Sequence, residues 1–458
     1  MFVAQFVDEG LGNATHLFGS REAKVAAIVD PLRDVDQYLA AAEKYGVQIR
    51  YALDTHLHND FVSGAREIAA RTGAKVVAGA DAGLAFDHVA LREGESVDLA
   101  ELKVTAIATP GHTPEHVAYA VHANGSPAAV FSGGALIVGG AARTDLLGAE
   151  NSVPLARQLY HSLHDKLLKL PDAVPVFPTH GAGSFCAAPA TSERQTTIGR
   201  ERAHNPLARA TSEDEFVRRA LEGLQSYPTY FGRLRPVNQQ GPKVLGGLPQ
   251  LEPLPPAKVQ ALAADGVSVL DVRPPPLFLR GHVPGAYGIW AAAPLTTWAG
   301  WLIPFGAPLV LVSHGTRDRD EAVRQLVRIG YDDLRGFLDG GMAAWEAAKL
   351  PVERVPLVAP YEIADRLGKP DGPVVLDVRQ DDEWADGHIP GAMHIENGRL
   401  PWDDLPLPRD RRIVVHCHTG NRSTSGASVL LRRGYRDVAV LDGGYDAWSS
   451  WGFPIERP

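Results

Sequence analysis

Along this chain short runs of apolar, β-branched residues alternate with segments that read as helices. In the first half the strand-like runs are Gln48 to Leu53, Lys103 to Ala108, Ala128 to Phe131 and Val174 to Phe177. Near the end they are Val374-Val375-Leu376, Ile413-Val414-Val415 and Val438-Ala439-Val440. After Ile413 to Val415 a polar loop leads into a helix predicted from about Ser423 to Arg433, with Gly434 as its C-cap. Strands that alternate with helices predict parallel sheets covered by helices. Such sheets place their chemistry at the carboxyl ends of strands.

Two proline-rich breaks divide the pattern. Gly241 to Pro256 reads as an extended linker, and Lys349 to Pro360 as a shorter break. The pieces are residues 1–240, 250–352 and 357–458. The second and third repeat one another. Leu270-Asp271-Val272-Arg273 returns as Leu376-Asp377-Val378-Arg379, and Gly281-His282-Val283-Pro284-Gly285-Ala286 as Gly387-His388-Ile389-Pro390-Gly391-Ala392. Gly330-Tyr331 matches Gly434-Tyr435, and Asp339-Gly340-Gly341 with Trp345 matches Asp442-Gly443-Gly444 with Trp448. The two pieces are duplicated copies.

Composition changes this picture only at the edges. A chain of 458 residues exceeds one hydrophobic core, so roughly two to four domains are expected. Its 45% hydrophobic and 22% charged residues suit a soluble globular protein. The formal net charge of -9 argues against nucleic-acid and anionic-membrane partners. The start of the chain lacks the pattern of a signal peptide, and the weakly polar run Ala128 to Ala142 is too short to span a bilayer. With two cysteines, Cys186 and Cys417, no disulfide framework exists, and a reduced cytoplasm is the expected compartment. Self-association into a homo-oligomer is expected.

Cys417 carries the clearest chemistry. It sits where a strand meets a helix N-terminus, among unpaired N–H groups that favour the reactive thiolate. The loop is Cys417-His418-Thr419-Gly420-Asn421-Arg422, and Arg422 adds a fixed cation for an anionic sulfur substrate. A buried structural cysteine is disfavoured by a polar, glycine-containing loop. Metal ligation by His416-Cys417-His418 is disfavoured because successive residues at a strand end point apart. Residues 357–458 resemble a rhodanese domain, through Asp377-Val378-Arg379, the Gly387 to Ala392 motif, the Cys417 loop and Asp442-Gly443-Gly444 with Trp448. The resemblance implies transfer of sulfane sulfur through a persulfide on Cys417. Four residues separate Cys417 from Arg422, one fewer than in the phosphate-cradling loop of cysteine phosphatases. Residues 250–352 resemble the same domain without its catalytic residues, since alignment through the Gly-Tyr pairs sets Ser313 opposite Cys417 and Asp318 opposite Arg422. That copy is expected to act as a spacer or docking module.

In the first piece histidines follow the strands: Thr55-His56-Leu57-His58-Asn59-Asp60-Phe61, Thr109-Pro110-Gly111-His112-Thr113 and Thr179-His180-Gly181, with Ser132-Gly133-Gly134-Ala135 between the last two. Imidazoles gathered from strand ends make a good metal site. These segments resemble the metallo-β-lactamase superfamily, in its persulfide dioxygenase and glyoxalase II branch. Arg143-Thr144-Asp145, Gly183-Ser184-Phe185-Cys186, Thr197 to Glu201 and Asn205-Pro206 add to the resemblance. The whole chain is similar to a persulfide dioxygenase–rhodanese fusion. The expected architecture is therefore α/β and α+β: an αββα sandwich followed by two parallel-sheet α/β domains.

The family holds one iron with two histidines and one aspartate, and the matching positions here are His56, His112 and Gly134. The aspartate is absent, and the last histidine of the His-x-His-x-Asp-His motif is Phe61. A two-metal hydrolase arrangement loses both groups at once. His56, His58 and His112 survive as a three-imidazole set, with Asp60 and His180 beside them. Three readings stay open: a metal-free domain, a single iron or zinc ion of weakened affinity on a shifted ligand set, and normal persulfide dioxygenase activity. Cys186 either receives a persulfide near the metal or fills space as a small apolar residue. Arg143 resembles the residue that binds the carboxylate of a thiol such as glutathione, and a surface salt bridge is its alternative. The partners implied are small sulfur compounds: thiosulfate, glutathione or another low-molecular-weight thiol persulfide.

Overall fold

A computed structural model describes residues 1–187, 191–292 and 294–457. Its contacts form two compact units, Met1–Leu248 with Val327–Gly330, and Pro249–Leu326 with Tyr331–Pro458.

In the first unit two six-stranded sheets face each other. One contains β1 (Phe2–Asp8), β2 (Asn13–Ser20), β3 (Val25–Val29), β4 (Gln48–Leu53), β5 (Lys75–Gly79) and β6 (Val89–Leu91), hydrogen-bonded in that order. The other contains β7 (Ser96–Leu99), β8 (Leu102–Ala108), β9 (Val117–Ala123), β10 (Ser126–Gly133), β11 (Pro175–Pro178) and β12 (Thr196–Thr197), again in sequence order. Side chains alternate across the second sheet as the pleat requires. Tyr119, Val121, Ala129, Phe131 and Phe177 point at the first sheet and meet Phe18, Val29, Leu53 and Val77. Ala118, Val130 and Val176 point the other way, into a core with Ala156 and Leu159 from the helix Ala149–His161 and Phe216 from the helix Glu213–Leu221. The order of layers is helix, sheet, sheet, helix, as expected.

The second unit holds two five-stranded parallel sheets of the same design. The first contains β13 (Pro253–Leu254), β14 (Ser268–Asp271), β15 (Tyr287–Gly288), β16 (Leu309–Val312) and β17 (Leu334–Leu338), in the order β13-β17-β16-β14-β15. The second contains β18 (Leu357–Val358), β19 (Val374–Asp377), β20 (Met393–His394), β21 (Ile413–His416) and β22 (Val438–Leu441), in the order β18-β22-β21-β19-β20. The inner strands β14, β16, β21 and β22 are buried on both faces, which is why they appear in the sequence as largely apolar runs.

The repeated motifs are framework. In each copy the Arg of Asp-Val-Arg pairs with the Asp and donates to the carbonyl of the Gly-His turn at 2.8 Å: Arg273 to Gly281, and Arg379 to Gly387. The following histidine stacks on an aromatic ring, His282 on Phe278 and His388 on Trp384. Both tryptophans spend their indole N–H on a proline carbonyl at 2.8 Å.

Three expectations change. The break Gly241 to Pro256 is mostly not a free linker: Arg66 donates to the carbonyl of Pro242, and Glu67 accepts from the N–H groups of Leu245 and Gly246. Its end supplies β13, and the shorter break supplies β18, because an edge strand needs only two residues with free backbone groups. The second and third pieces also pack as one unit. The Trp402 indole donates to the carbonyl of Trp301 at 2.9 Å, Gly288 N–H to Ser428 Oγ at 3.1 Å, and the Trp301 ring lies against the bare backbone of Gly398.

Candidate functional site

Cys417 follows β21 and precedes the helix Asn421–Arg432, which begins two residues before the predicted Ser423. Gly420, at φ 119°, makes the turn between them. The Gly420 N–H and the Ser423 hydroxyl both donate to Cys417 Sγ at 3.2 Å. The carbonyls of Cys417 and His418 are drawn away from the sulfur, since they accept from Tyr445 N–H at 2.7 Å and Asp446 N–H at 3.2 Å. That contact requires glycine at 444, where φ is 60° and a Cβ would collide with both carbonyls. The second glycine of Asp442-Gly443-Gly444 thus shapes the nucleophile loop.

The loop is less open than its polarity suggests. Cys417 is 2% exposed, because its sulfur turns inward to meet these two donors. Thr419 and Asn421 lie exposed, while Arg422 is paired rather than free. Its guanidinium grips Glu383 through both oxygens, at 2.5 and 2.7 Å. Glu383 also takes His418 Nε2 at 3.0 Å, and Asp446 takes His418 Nδ1 at 2.7 Å. Burial would raise the Glu383 carboxyl, but the Arg422 guanidinium offsets it and holds the group below its ordinary range. His416 does not join the loop: its ring is fully buried and stays neutral, lowered to about 4 by burial.

Glu383, Ser423 and Asp446 were missed from sequence, although comparison of the copies carries a signal for the first. Where the second copy has Cys417, Arg422 and Glu383, the first has Ser313, Asp318 and Leu277. The cation and its carboxylate partner are both absent with the thiol, while the Asp-Val-Arg framework stays. A cavity of about 480 Å³ remains at this position in the first copy, lined by Arg273, Leu277, Ser313, His314, Arg319 and Phe337, so Arg319 is a cation there although none aligns with Arg422.

In the first unit the strand ends bring the predicted imidazoles together. The ring centroids of His56 and His112 lie 4.8 Å apart, those of His56 and His180 5.4 Å, and those of His112 and His180 5.2 Å. All four histidines are buried. Their outer partners set the tautomers. His112 Nδ1 donates to the carbonyl of Arg143 at 2.6 Å, and His180 Nδ1 to Asn13 Oδ1 at 2.9 Å. His58 Nε2 donates to Asp30 at 3.0 Å. The Thr55 hydroxyl gives its hydrogen to Asp30, so it accepts from His56 Nδ1 at 2.8 Å. Three lone pairs are left over on the neutral rings of His56, His112 and His180, while at His58 the lowering by burial is outweighed by Asp30, which pushes that ring up. His56 Nε2 and His180 Nε2 face each other at 3.4 Å, and His112 Nε2 and His58 Nδ1 have no hydrogen-bond partner among the described residues.

Opposed lone pairs in a dry pocket repel unless a cation lies between them. A 3.4 Å gap is about that of two nitrogens bonded to one tetrahedral zinc ion. The donor groups His56–His58–His180 and His112–His180–Cys186 each have ligand atoms within 4.8 Å of one another. Burial holds His56, His112 and His180 neutral, the last two near 3, which keeps the lone pairs open. The residues present fit a metal cation on imidazole nitrogen. Asp60 stands to one side, with Oδ2 accepting from Asn13 at 2.7 Å and lying 3.6 Å from His180 Nδ1. Phe61 stacks on His58, with ring centroids 4.0 Å apart.

The sequence reading missed the scaffold of this cluster. Asp30, at a positive φ of 49° just after β3, accepts from Thr55, Thr179 and His58. The helix Phe231–Gln240 clamps the histidine loop from outside: Asn238 donates to the carbonyls of His58 and Phe61, and Arg235 grips Glu115, which takes Leu57 N–H. Arg143 is held by several partners. Its guanidinium pairs with both oxygens of Asp145, donates to the carbonyls of Phe185 and Gln225, and stacks on Tyr227. It is 5% exposed and lines a cavity of about 450 Å³ with Ser184, Phe185, Glu222 and Gln225. Cys186 is fully buried, and burial pushes its thiol up.

Comparison with known proteins agrees with both halves. The metallo-beta-lactamase superfamily matches residues 10–180, and the rhodanese-like domain matches residues 255–348 and 359–450. The mitochondrial persulfide dioxygenase ETHE1 of Bos taurus is 30% identical over 207 residues, which cover 44% of this chain and 74% of that protein. The thiosulfate sulfurtransferase GlpE of Pseudomonas fluorescens (strain SBW25) is 38% identical over 97 residues, covering 21% of this chain and 87% of that one. The crystal structure of a metallo-beta-lactamase from Staphylococcus aureus subsp. aureus COL superposes with a TM-score of 0.67 at 26% identity, covering 73% of this chain and 98% of that one. With its αββα unit and its paired parallel-sheet copies, the chain belongs to the metallo-beta-lactamase superfamily, on the side of the ETHE1-like persulfide dioxygenases, fused to two rhodanese domains.

Proposed function

We propose that this protein is a sulfurtransferase of sulfur metabolism that carries sulfane sulfur as a persulfide on Cys417. The observation that supports this is the pair of donors, Gly420 N–H and Ser423 Oγ–H, aimed at Sγ beside the Arg422–Glu383 pair. Donors around a sulfur stabilise the anion on which nucleophilic attack depends. The Cys417 thiolate attacks the outer sulfur of thiosulfate, the sulfur–sulfur bond breaks, and sulfite leaves with the electron pair. A second nucleophile, cyanide or a thiolate, then takes the outer sulfur and returns Cys417 to the thiolate. His418, Thr419, Gly420 and Asn421 form the rim that the donor molecule meets, and Arg422 orients its anionic end.

The working boundaries are residues 1–240, 250–352 and 357–458, with sulfur transfer in the last. In the first, His56, His58, His112 and His180 are proposed to hold one metal ion, with Asp60 beside them, and a bound ion would supply Lewis acidity. Gly134 removes the carboxylate that favours iron and oxygen chemistry, so sulfur transfer rather than persulfide oxidation is the main activity. No described helix is long and apolar enough to cross a membrane.

The test is thiosulfate:cyanide sulfurtransfer by Cys417→Ser. A hydroxyl lacks the acidity and sulfur affinity of a thiol, so the activity is expected to vanish. Thiocyanate formation by the Ser variant at the parent rate would place the chemistry elsewhere.

A further inference from the structure

We propose that Cys186 is a metal ligand, its thiolate joining His112 and His180 in a sulfur–imidazole site for a borderline-soft divalent cation of the zinc class. The inference goes beyond the Cys417 reading and does not depend on it.

The donor atoms of His112, His180 and Cys186 lie within 4.8 Å of one another, and all three residues are buried. Both imidazoles present lone pairs there, because His112 Nδ1 and His180 Nδ1 each spend their proton on an oxygen outside the cluster. His112 Nε2, fully buried, has no partner among the described residues. His56 Nε2 lies 3.4 Å from His180 Nε2, in the adjoining donor group of His56, His58 and His180.

One stretch of backbone ties these ligands together. The Arg143 carbonyl accepts from His112 Nδ1 at 2.6 Å, and the Arg143 N–H donates to the Cys186 carbonyl at 2.9 Å. Its side chain, fixed on Asp145 and Tyr227, anchors that peptide. Arg143 is therefore a positioning residue for the cluster.

Charge points the same way. Three neutral imidazoles give a divalent ion no counter-charge, and Gly134 offers no side chain, so the charge must come from Cys186 or from the buried Asp60 beside it. A Cβ at Gly134 would lie 2.8 Å from His112 Cδ2 and 2.9 Å from Ala142 Cβ, so the imidazole already occupies that side. Asp60 is no member of the His112–His180–Cys186 donor group; its Oδ2 is engaged by Asn13, while its Oδ1 is buried without a hydrogen-bond partner among the described residues. Cys186 is the anion-forming member of that group. The sulfur–metal bond forms as the thiol gives its proton to solvent, with no change of oxidation state. Thiolate and imidazole together select zinc-like ions rather than oxygen-activating iron.

The experiment uses the full-length Cys417→Ser protein, in which Cys186 is the remaining cysteine. After chelation and dialysis it is titrated with cobalt(II) as a spectroscopic probe and, separately, with zinc. The expected result is about one ion per chain, thiolate-to-cobalt charge-transfer absorption, and one sulfur neighbour of zinc in X-ray absorption. Adding Cys186→Ser should abolish the charge-transfer band. It should also weaken zinc binding by at least the ~10–100-fold that changes outside the ligand shell already cost. Stoichiometric cobalt with no charge-transfer band and no sulfur neighbour would overturn the role of Cys186 while leaving an all-imidazole site. A chain that takes up neither ion would overturn the site altogether. The X-ray absorption arm leaves Cys186 intact, so it decides the question even if Cys186→Ser folds poorly.

Discussion

Gly134 shows how one missing side chain rearranges a site. The position carries only hydrogen, and the His112 ring and the Ala142 methyl fill the space where a Cβ would stand. Restoring the absent carboxylate with Gly134→Asp is therefore not a simple repair. The new side chain must push His112 off the Arg143 carbonyl that fixes its tautomer. Overpacking of this kind costs about 1–3 kcal/mol. The variant is expected to melt at a lower temperature and to hold less zinc, with no gain in iron. Calorimetry and elemental analysis of the two proteins side by side check this, and a variant that gains stoichiometric iron without loss of stability would contradict it. The candidate ligands could be named from sequence because histidines after strands are conspicuous. The engagement of Arg143 by Asp145, Gln225 and Tyr227 could not, because Gln225 and Tyr227 lie some eighty residues away in the chain.

At the scale of elements, the two rhodanese copies separate framework from chemistry. Both keep the Asp-Arg pair that ties a strand end to the Gly-His turn, and both keep the capping tryptophan. Only the second has the thiol together with the Arg422–Glu383 pair. A thiol alone should not revive the first copy. Ser313→Cys in a Cys417→Ser background is expected to show no sulfurtransfer, since Asp318 stands where the second copy has Arg422 and repels an anionic donor, and Leu277 supplies no carboxylate to fix a cation; thiocyanate formation at a tenth of the parent rate or more would refute this. The copy also has a mechanical role, which the spacer expectation underrated. Trp301 rests on the bare backbone of Gly398, and its carbonyl takes the Trp402 indole. Gly398→Leu should separate this contact and destabilise the second unit by on the order of 1–3 kcal/mol. Urea unfolding followed by tryptophan fluorescence would show the shift, and an unchanged midpoint would mean that the contact contributes nothing.

For the molecule as a whole, buried neutral histidines predict sensitivity to acid. His16 in the first unit and His416 in the second are each lowered to about 4, chiefly by burial. The unfolded chain takes up these protons near 6.5 and the folded chain only near 4. Their contribution is thus fully present above pH 6.5 and is lost as pH falls toward 4, on the order of 3 kcal/mol for each group. Urea midpoints should fall between pH 7 and pH 5, and His416→Gln should flatten the fall for the second unit. A midpoint independent of pH across that range would rule out the effect. What the sequence determined by itself was the local and the repeated: the seven strands it named, to within a residue or two, the internal duplication, the Cys417 loop and the histidine set. Each of these is written in neighbouring residues, in alternating runs or in motifs that recur. Tertiary structure decided the rest. It paired Arg422 with Glu383, turned Cys417 inward, packed the two copies into one unit, set His112 against Gly134 and brought Cys186 to the imidazoles. The reason is physical: burial and hydrogen bonding set a side chain's charge, tautomer and freedom, and they come from groups that only folding makes neighbours.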